Sequence, residues 1–328
     1  MATIRDVAQL AGVSVSTVSR VYTRPDLFRE ETRLRVHAAA KQLNYSPNRN
    51  AAALTTGKTG NIGIIVPNIA NPLFPEMVKA AQHSANRRNL AVLLADSDDS
   101  PANEEQLLHA LAKDVDALLV FSSLLSDEQI ISVGQLRPMV FVNRYVNGYH
   151  CVLVDALGGM RLLAQYLTNL GHTSALYLPG PENSWAALER RNAIIEAGER
   201  TGLHVDVAGA GIPSFEWGSS MAEKLVRTPL PSAVICFNDV MALGVTARLL
   251  ELGVNVPGQV SVVGWGGTRI AGYSTPALTT IAVPLSELGS VAVDQALLAE
   301  ESTQAEVQPV VLGVELVARA TTGRPLSR

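Results

Sequence analysis

The 328-residue chain has only two cysteines, Cys151 and Cys236, each alone inside an apolar run. A disulfide framework needs pairs and a zinc site needs clustered thiols or imidazoles, so neither is legible and a reduced compartment fits. The six histidines, His37, His83, His109, His150, His172 and His204, show no ligand spacing, and no metal is expected. His172, in Leu170-Gly171-His172, reads as a helix-end residue favoured by the dipole. No Walker-type phosphate loop and no nucleophile elbow is present; the expectation is a non-enzyme, without catalytic residues and without a cofactor. The N-terminus MATIRD is polar, and no apolar run approaches the roughly 20 residues of a bilayer span. A signal peptide and a membrane segment are therefore not expected, and the cytoplasm is the expected location.

Positive charge is also scarce, with a net charge of −4, but it is unevenly placed. Residues 1–58 hold nine Lys or Arg against four acids, a surplus of five, so the remainder carries a deficit of nine. A basic head on an acidic body suits a phosphate-binding module joined to a separate sensing domain.

Within that head, Ile4 to Val21 (IRDVAQLAGVSVSTVSRV) organises the rest. Ile4, Val7, Ala8 and Ala11 recur at helical spacing, Gly12 breaks the period, and Val15, Val18 and Val21 begin another. This is two short helices around a tight turn, with Ala8 at the close crossing, Gly12 free to take a positive φ, Val13 and Val18 filling the angle, and Ser14 placed to cap the second helix. The outward residues of the second helix, Val15, Ser16, Thr17, Ser19 and Arg20, include no acid, and Arg20 can offer paired donors to a guanine edge. The pattern is a helix-turn-helix whose second helix reads DNA. A third helix is expected over Thr32 to Asn44, burying Val36, Ala39 or Ala40, and Leu43, and ending before Tyr45-Ser46-Pro47. The alanine-rich Asn48 to Leu54 is too short to be helical unless something docks against it.

From Asn61 the pattern becomes short apolar runs alternating with helical ones. Strands are expected at Ile62–Val66, Ala91–Ala95, Ala117–Phe121, Val140–Val142 and Val152–Val154, with helices near Phe74–Arg88, Asn103–Lys113 and Asp127–Gln135. A second series follows, with strands at Ala175–Leu178, Val205–Ala208, Ala233–Phe237 and Ser261–Val263. Its helices are expected near Met160–Leu170, Ala186–Thr201, Gly218–Val226 and Val240–Leu252. Two βαβαβ halves mean two doubly wound α/β subdomains, with the cleft between them as the default small-molecule site.

Several widely spaced stretches occur together in order: TIRDVAQLAGVSVSTVSRV, TRLRVHAAAKQLNYSPN, NAAAL, IGIIVPNIANPLF, VLVDALGG, FNDVMALG, VPGQVSVVGWGG and TPALTTI. On these the chain resembles the LacI/GalR family of bacterial transcriptional repressors over nearly its whole length. The resemblance implies an N-terminal all-α helix-turn-helix domain plus an α/β core of two subdomains like a periplasmic binding protein. It divides the chain into 1–47, the DNA-binding domain; 48–60, a hinge helix and linker; 61–156 with about 283–307, the N-terminal core subdomain; and 157–282 with about 308–328, the C-terminal one.

The resemblance also implies roles. Val15, Ser16 and Arg20 match base-reading positions, Thr3, Thr17 and Asn48 are placed either to bind phosphate or to cap helices, and Ala51 and Leu54 belong to a hinge whose leucine wedges into the minor groove. In the core, Phe74, Arg190, Asn238, Asp239, Asp155, Trp265 and Gly266 are the effector-binding candidates, with Arg191 a competitor for Arg190 and a helix cap the alternative for Asn238 or Asp239.

Three departures stand out. After SVVG the family has an aromatic and paired aspartates, where this chain has Trp265-Gly266-Gly267; glycine cannot accept a sugar hydroxyl, which turns the expectation toward an anionic effector. Arg29 stands where a capping serine is usual, and Thr23 where asparagine is. The implied function is a homodimeric repressor of carbohydrate-related genes, released from double-stranded, pseudo-palindromic operator DNA by a sugar, sugar acid or sugar phosphate, with no membrane partner. A co-repressed regulator is the alternative, and a solute-binding protein the remote one. No heptad run follows Val310 to Ala318, the last strand-like run, so a dimer is expected over a tethered tetramer.

Overall fold

The structure, a computed structural model, describes residues 2–45, 57–134, 136–301 and 307–326. Asn48, Ala51 and Leu54, the expected hinge contacts, lie outside these. The chain divides into two units, Met1–Asn61 with Asp114–Asp116, and Ile62–Lys113 with Ala117–Arg328.

The first unit begins with three helices, α1 (Ile4–Ala11), α2 (Val15–Thr23) and α3 (Glu30–Gln42). Thr3 opens α1 with a capping box, its hydroxyl accepting from the Asp6 N–H while the Asp6 carboxylate accepts from the Thr3 N–H. Gly12 closes α1 at φ 64°, a left-handed conformation that costs glycine nothing, and Ser14 then caps α2 through the Thr17 N–H. Val7, Ala8, Ala11, Val18, Val21, Val36, Ala39 and Ala40 form the small core. The third helix starts at Glu30, two residues earlier than expected, and Arg29 at its N-cap makes no side-chain capping bond. Glu30 and Glu31 in its first turn favour the start electrostatically instead. In the same unit the Asp116 carboxylate accepts from the Thr59 N–H at 2.6 Å, the Thr59 hydroxyl at 3.0 Å and the Gly60 N–H at 2.8 Å.

The second unit carries two six-stranded sheets. The first contains β1 (Asn61–Val66), β2 (Ala91–Asp96), β3 (Ala117–Phe121), β4 (Met139–Val142), β5 (His150–Val154) and β11 (Val310–Leu312), in the order β11-β5-β4-β3-β1-β2. The second contains β6 (Ser174–Leu178), β7 (His204–Val207), β8 (Ala233–Cys236), β9 (Ser261–Gly266), β10 (Thr279–Ala282) and β12 (Glu315–Val317), in the order β12-β10-β9-β8-β6-β7. The pairs β1–β3, β3–β4, β4–β5 and β5–β11 of the first sheet and β7–β6, β6–β8, β8–β9 and β9–β10 of the second are parallel, and β10 with β12 is antiparallel.

Helices α4 (Leu73–Arg87), α5 (Pro101–Leu111) and α6 (Asp127–Val133) connect the first sheet. Then α7 (Ala156–Leu170), α8 (Trp185–Thr201), α9 (Phe215–Leu225), α10 (Asp239–Glu251) and the short α11 (Arg269–Tyr273) serve the second. Finally α12 (Leu285–Glu301) returns to the first sheet, where Leu285, Leu288, Ala292, Val293 and Ala296 bury against Met77, Ala81 and Ala85. Among the described residues no helix is long and apolar enough to cross a membrane.

Three features differ from expectation. Strand β10 and helices α11 and α12 were not anticipated: the Thr279–Ala282 run is half threonine, and α12 mixes alanine and acids over a weak apolar stripe. The run Val310 to Ala318 is not one strand but two, β11 pairing with β5 in the first sheet and β12 with β10 in the second. Residues 310–312 therefore belong with the first sheet rather than with the second subdomain. Helix α7 starts at Ala156, earlier than Met160, because the Asp155 side chain accepts from the Gly158 N–H at 2.8 Å and caps it.

Candidate DNA-reading helix and effector cleft

On α2, Ser16 and Arg20 are exposed, and so is Val15 at 41% of its surface, although an apolar side chain gains nothing there from water. Neither the first turn nor the outward face holds an acid. The Ser14 hydroxyl lies 2.8 Å from those of both Ser16 and Thr17, so the turn preorganises a row of hydroxyls ahead of Arg20. Thr3 and Thr17 are tied into the caps of α1 and α2 respectively, while Thr3 stays exposed.

The cleft lies between the carboxyl ends of the two sheets, where doubly wound folds place ligands. From the first subdomain its walls take Pro67, Asn71, Leu73, Phe74, Asp99, Ser122, Leu124 and Asn143, and from the second they take residues that follow β6, β7, β8 and β9. About 640 Å³ of space not filled by atoms, open solvent included, lies between these walls. Asp99, Ser122 and Asn143 hold φ of 53°, 47° and 58°, three non-glycine residues in the left-handed region, a kind of strain that clusters at functional sites. Behind this wall the buried Glu104 carboxylate accepts from the Ser123 hydroxyl and from the Leu124 N–H, which fixes Leu124 in place. Burial raises the Glu104 carboxyl above its ordinary value against those bonds.

Arg190 is the charged centre of the opposite wall. It is 5% exposed, its Nη1 donates to the Phe237 carbonyl at 2.7 Å, and its guanidinium lies 4.4 Å from the Phe237 ring centre and 4.8 Å from that of Trp265. Guanidinium stacking on two aromatic faces is favourable electrostatically and holds the fork in one plane. Burial lowers its pKa to about 10, still far above neutrality, so it remains a cation. Arg191, the competitor, is exposed and lines a different groove with Glu182 and Leu188.

Asp239 is fully buried. Its Oδ2 accepts from the Thr268 N–H and hydroxyl at 2.8 and 2.7 Å, and its Oδ1 from the Thr280 hydroxyl at 2.6 Å. Burial raises its carboxyl, opposed by these bonds. Asn238 is the cap of α10, accepting from the Met241 N–H at 2.8 Å while its amide donates to the Pro213 carbonyl at 3.1 Å. Both polar residues thus reach the cleft wall already tied to the protein, Asp239 through both oxygens and Asn238 through one bond at each end of its amide.

Of the effector candidates, Phe74, Arg190, Asn238, Asp239 and Trp265 meet in the cleft. Two do not line it: Asp155 is occupied as the α7 cap, and Gly266 is buried with φ 138°, where an added Cβ would lie 3.2 Å from both Asp239 Oδ2 and Leu73 Cδ1. Ser122, Asn143, Asp99, Phe237 and Thr268 were missed, though the position of Ser122 and Asn143 directly after buried strands was a usable signal. His172 is not a charged helix-end residue. It is buried between Ser232 at 2.9 Å and the Gly323 carbonyl at 3.0 Å, and burial lowers its pKa toward the neutral ring.

Residues 3–48 match the family of bacterial regulatory proteins of the lacI type, and residues 164–322 match a periplasmic binding protein-like domain. The chain is 35% identical over 304 residues to the transcriptional regulator GalS of Salmonella typhimurium, covering 90% of this chain and 89% of that one. It belongs to the LacI family. The regulator GalR of Escherichia coli is 32% identical, with 99% and 97% of the two chains covered. A crystal structure of the lac repressor dimer bound to operator and an anti-inducer superposes with a TM-score of 0.85 at 30% identity, covering 98% of this chain and 99% of that one. This LacI-family chain is accordingly a helix-turn-helix transcriptional regulator with a repressor role, and its relatives are regulators rather than enzymes.

Proposed function

We propose that the protein is a cytoplasmic, homodimeric repressor that binds a pseudo-palindromic operator and is released by a small anionic effector in the cleft. Each protomer presents α2 to the major groove, with Arg20, Ser16 and Val15 toward base edges and Thr3 and Thr17 toward phosphates. Asn48 adds a phosphate contact, and the hinge with Ala51 and Leu54 meets the minor groove, where the leucine is the wedge. Effector affinity that differs between the open and closed cleft shifts the hinge spacing, so that effector and operator share one coupling free energy.

The observation that carries the effector side is Arg190, a buried cation in a cleft to which both subdomains contribute. This cation and the absence of a carboxylate at 266 favour a ligand that carries a carboxylate over a neutral sugar. The test is binding of the purified protein to its own upstream DNA at two salt concentrations, with and without such compounds. Steeply salt-dependent binding that one class abolishes supports the reading, and Arg20→Ala should weaken the specific complex by about 1–3 kcal/mol while leaving non-specific binding nearly intact. Salt-independent binding, or equal loss on all sequences, would refute it.

A further inference from the structure

Resting on the effector-cleft reading above, we propose that the effector is a monocarboxylate with a largely apolar body, its charge met by Arg190. A guanidinium has five N–H donors, and among the described residues the hydrogen bond to the Phe237 carbonyl is the one protein bond Arg190 makes. No carboxylate lies within ion-pair distance of it there. The nearest acid on its wall, Asp239, has both oxygens occupied by Thr268 and Thr280. A buried, planar donor fork without an acceptor pair is complementary to a carboxylate, which can take two of its N–H groups at once.

The rest of the wall argues for the body of the ligand. Leu73, Phe74, Leu124, Pro213, Phe237 and Trp265 make most of the surface apolar. A polyhydroxylated ligand draws on side-chain donors and acceptors all around its ring, and on this wall Asn238 already spends one N–H on the Pro213 carbonyl and one oxygen lone pair on the Met241 N–H. The Asn71 Oδ1 accepts from the Leu73 N–H and the Ser122 hydroxyl oxygen accepts from the Asn143 amide, so the polar groups left for a ligand are few beside the apolar ones. Hydroxyls buried against the apolar part of the wall would lose water without replacement. A phosphate dianion would also be undercompensated, because Arg190 is the one cation on the described lining. Asp99, the remaining acid, is exposed at the mouth, where water screens it, and its Oδ2 already accepts from Asn68.

The test is calorimetric titration of the full-length protein with benzoate, phenylacetate and hexanoate, beside their neutral amides, galactose and glucose 6-phosphate. At least one carboxylate should bind, with its amide about 30-fold weaker or worse, the lower end expected for losing one partner of a buried charge pair. Arg190→Gln should remove that preference while leaving the amide's affinity in place, and Arg190→Lys, which keeps the charge and guards against a folding artefact, should retain part of it. The proposal is overturned if none of the carboxylates binds, if galactose or glucose 6-phosphate binds more tightly than all of them, or if Arg190→Gln leaves carboxylate affinity unchanged. Operator binding measured on the same samples separates the two ideas. A carboxylate that binds through Arg190 without altering operator affinity upholds the ligand class and refutes the effector role.

Discussion

Replacing Gly266 by aspartate would supply the carboxylate that the family resemblance led one to expect there, and the structure says what it would meet. An added Cβ lies 3.2 Å from Asp239 Oδ2 and 3.2 Å from Leu73 Cδ1, at a φ of 138° that side chains rarely adopt. The backbone strain alone costs about 1–3 kcal/mol. A carboxylate there would stand roughly 4 Å from that of Asp239, a repulsion of about 4 kcal/mol at an effective dielectric of about 20, unless one of the two takes up a proton. Gly266→Ala carries the strain without the charge, so the difference between the two variants isolates the pair. Urea denaturation followed without ligand should place Gly266→Asp below Gly266→Ala at neutral pH. The sign with pH follows from raised carboxyl pKa values in the folded state: the protonated pair is favoured in acid, and its stability is lost as pH rises through the folded pKa. The gap between the variants should therefore narrow in acid and open toward neutrality. Equal midpoints at neutral pH would refute the argument that Asp239 fills the site a second aspartate would need.

Three hydrogen bonds to Asp116 hold Thr59 and Gly60, each charge-assisted and part-buried; Asp116→Ala should cost about 3 kcal/mol locally and speed amide exchange at Thr59 and Gly60 by roughly 100-fold, and unchanged exchange there would count against the clasp. Burial depresses the His172 pKa below its ordinary 6.5, so its contribution is present above about pH 6.5 and lost as pH falls through the folded value. A denaturation midpoint that drops on acidification below pH 6.5, less steeply in His172→Asn, is the expected result; parallel curves would show that His172 is not the group responsible. Asn238→Ala removes the α10 cap and the Pro213 tie, and should destabilise the second subdomain by about 1–2 kcal/mol; an unaltered thermal midpoint would mean that water replaces both bonds.

The elements that were legible are those whose pattern depends on near neighbours. Val7, Ala8, Ala11 and Val18 announce two helices, Gly12 marks the turn by the one conformation that glycine tolerates freely, and runs such as Ala117–Phe121 read as strands because a parallel sheet buries both faces. Arg29, where a capping serine is usual, signals a helix start without a side-chain cap, and α3 has one. What escaped was long-range. Thr279–Ala282 lacks the apolar run of a central strand, yet it pairs between β9 and β12 because threonine side chains there bond to Asp239 and to Thr322. Nothing local in Val310 to Ala318 indicates that the chain leaves one sheet for the other around Gly313.

By itself the sequence determined the helix-turn-helix, the two doubly wound halves and the separation of a basic head from an acidic body, because each is encoded in periodicity or charge along neighbouring residues. Tertiary structure alone decided which side chains face the cleft. It put Arg190 inside, against the Phe237 carbonyl 47 residues away, left Arg191 outside, and spent the Asp239 carboxylate on Thr268 and Thr280. The Asp239 bonds depend on partners 29 and 41 residues away in the chain, and a buried polar group's role is set by whichever partner satisfies it.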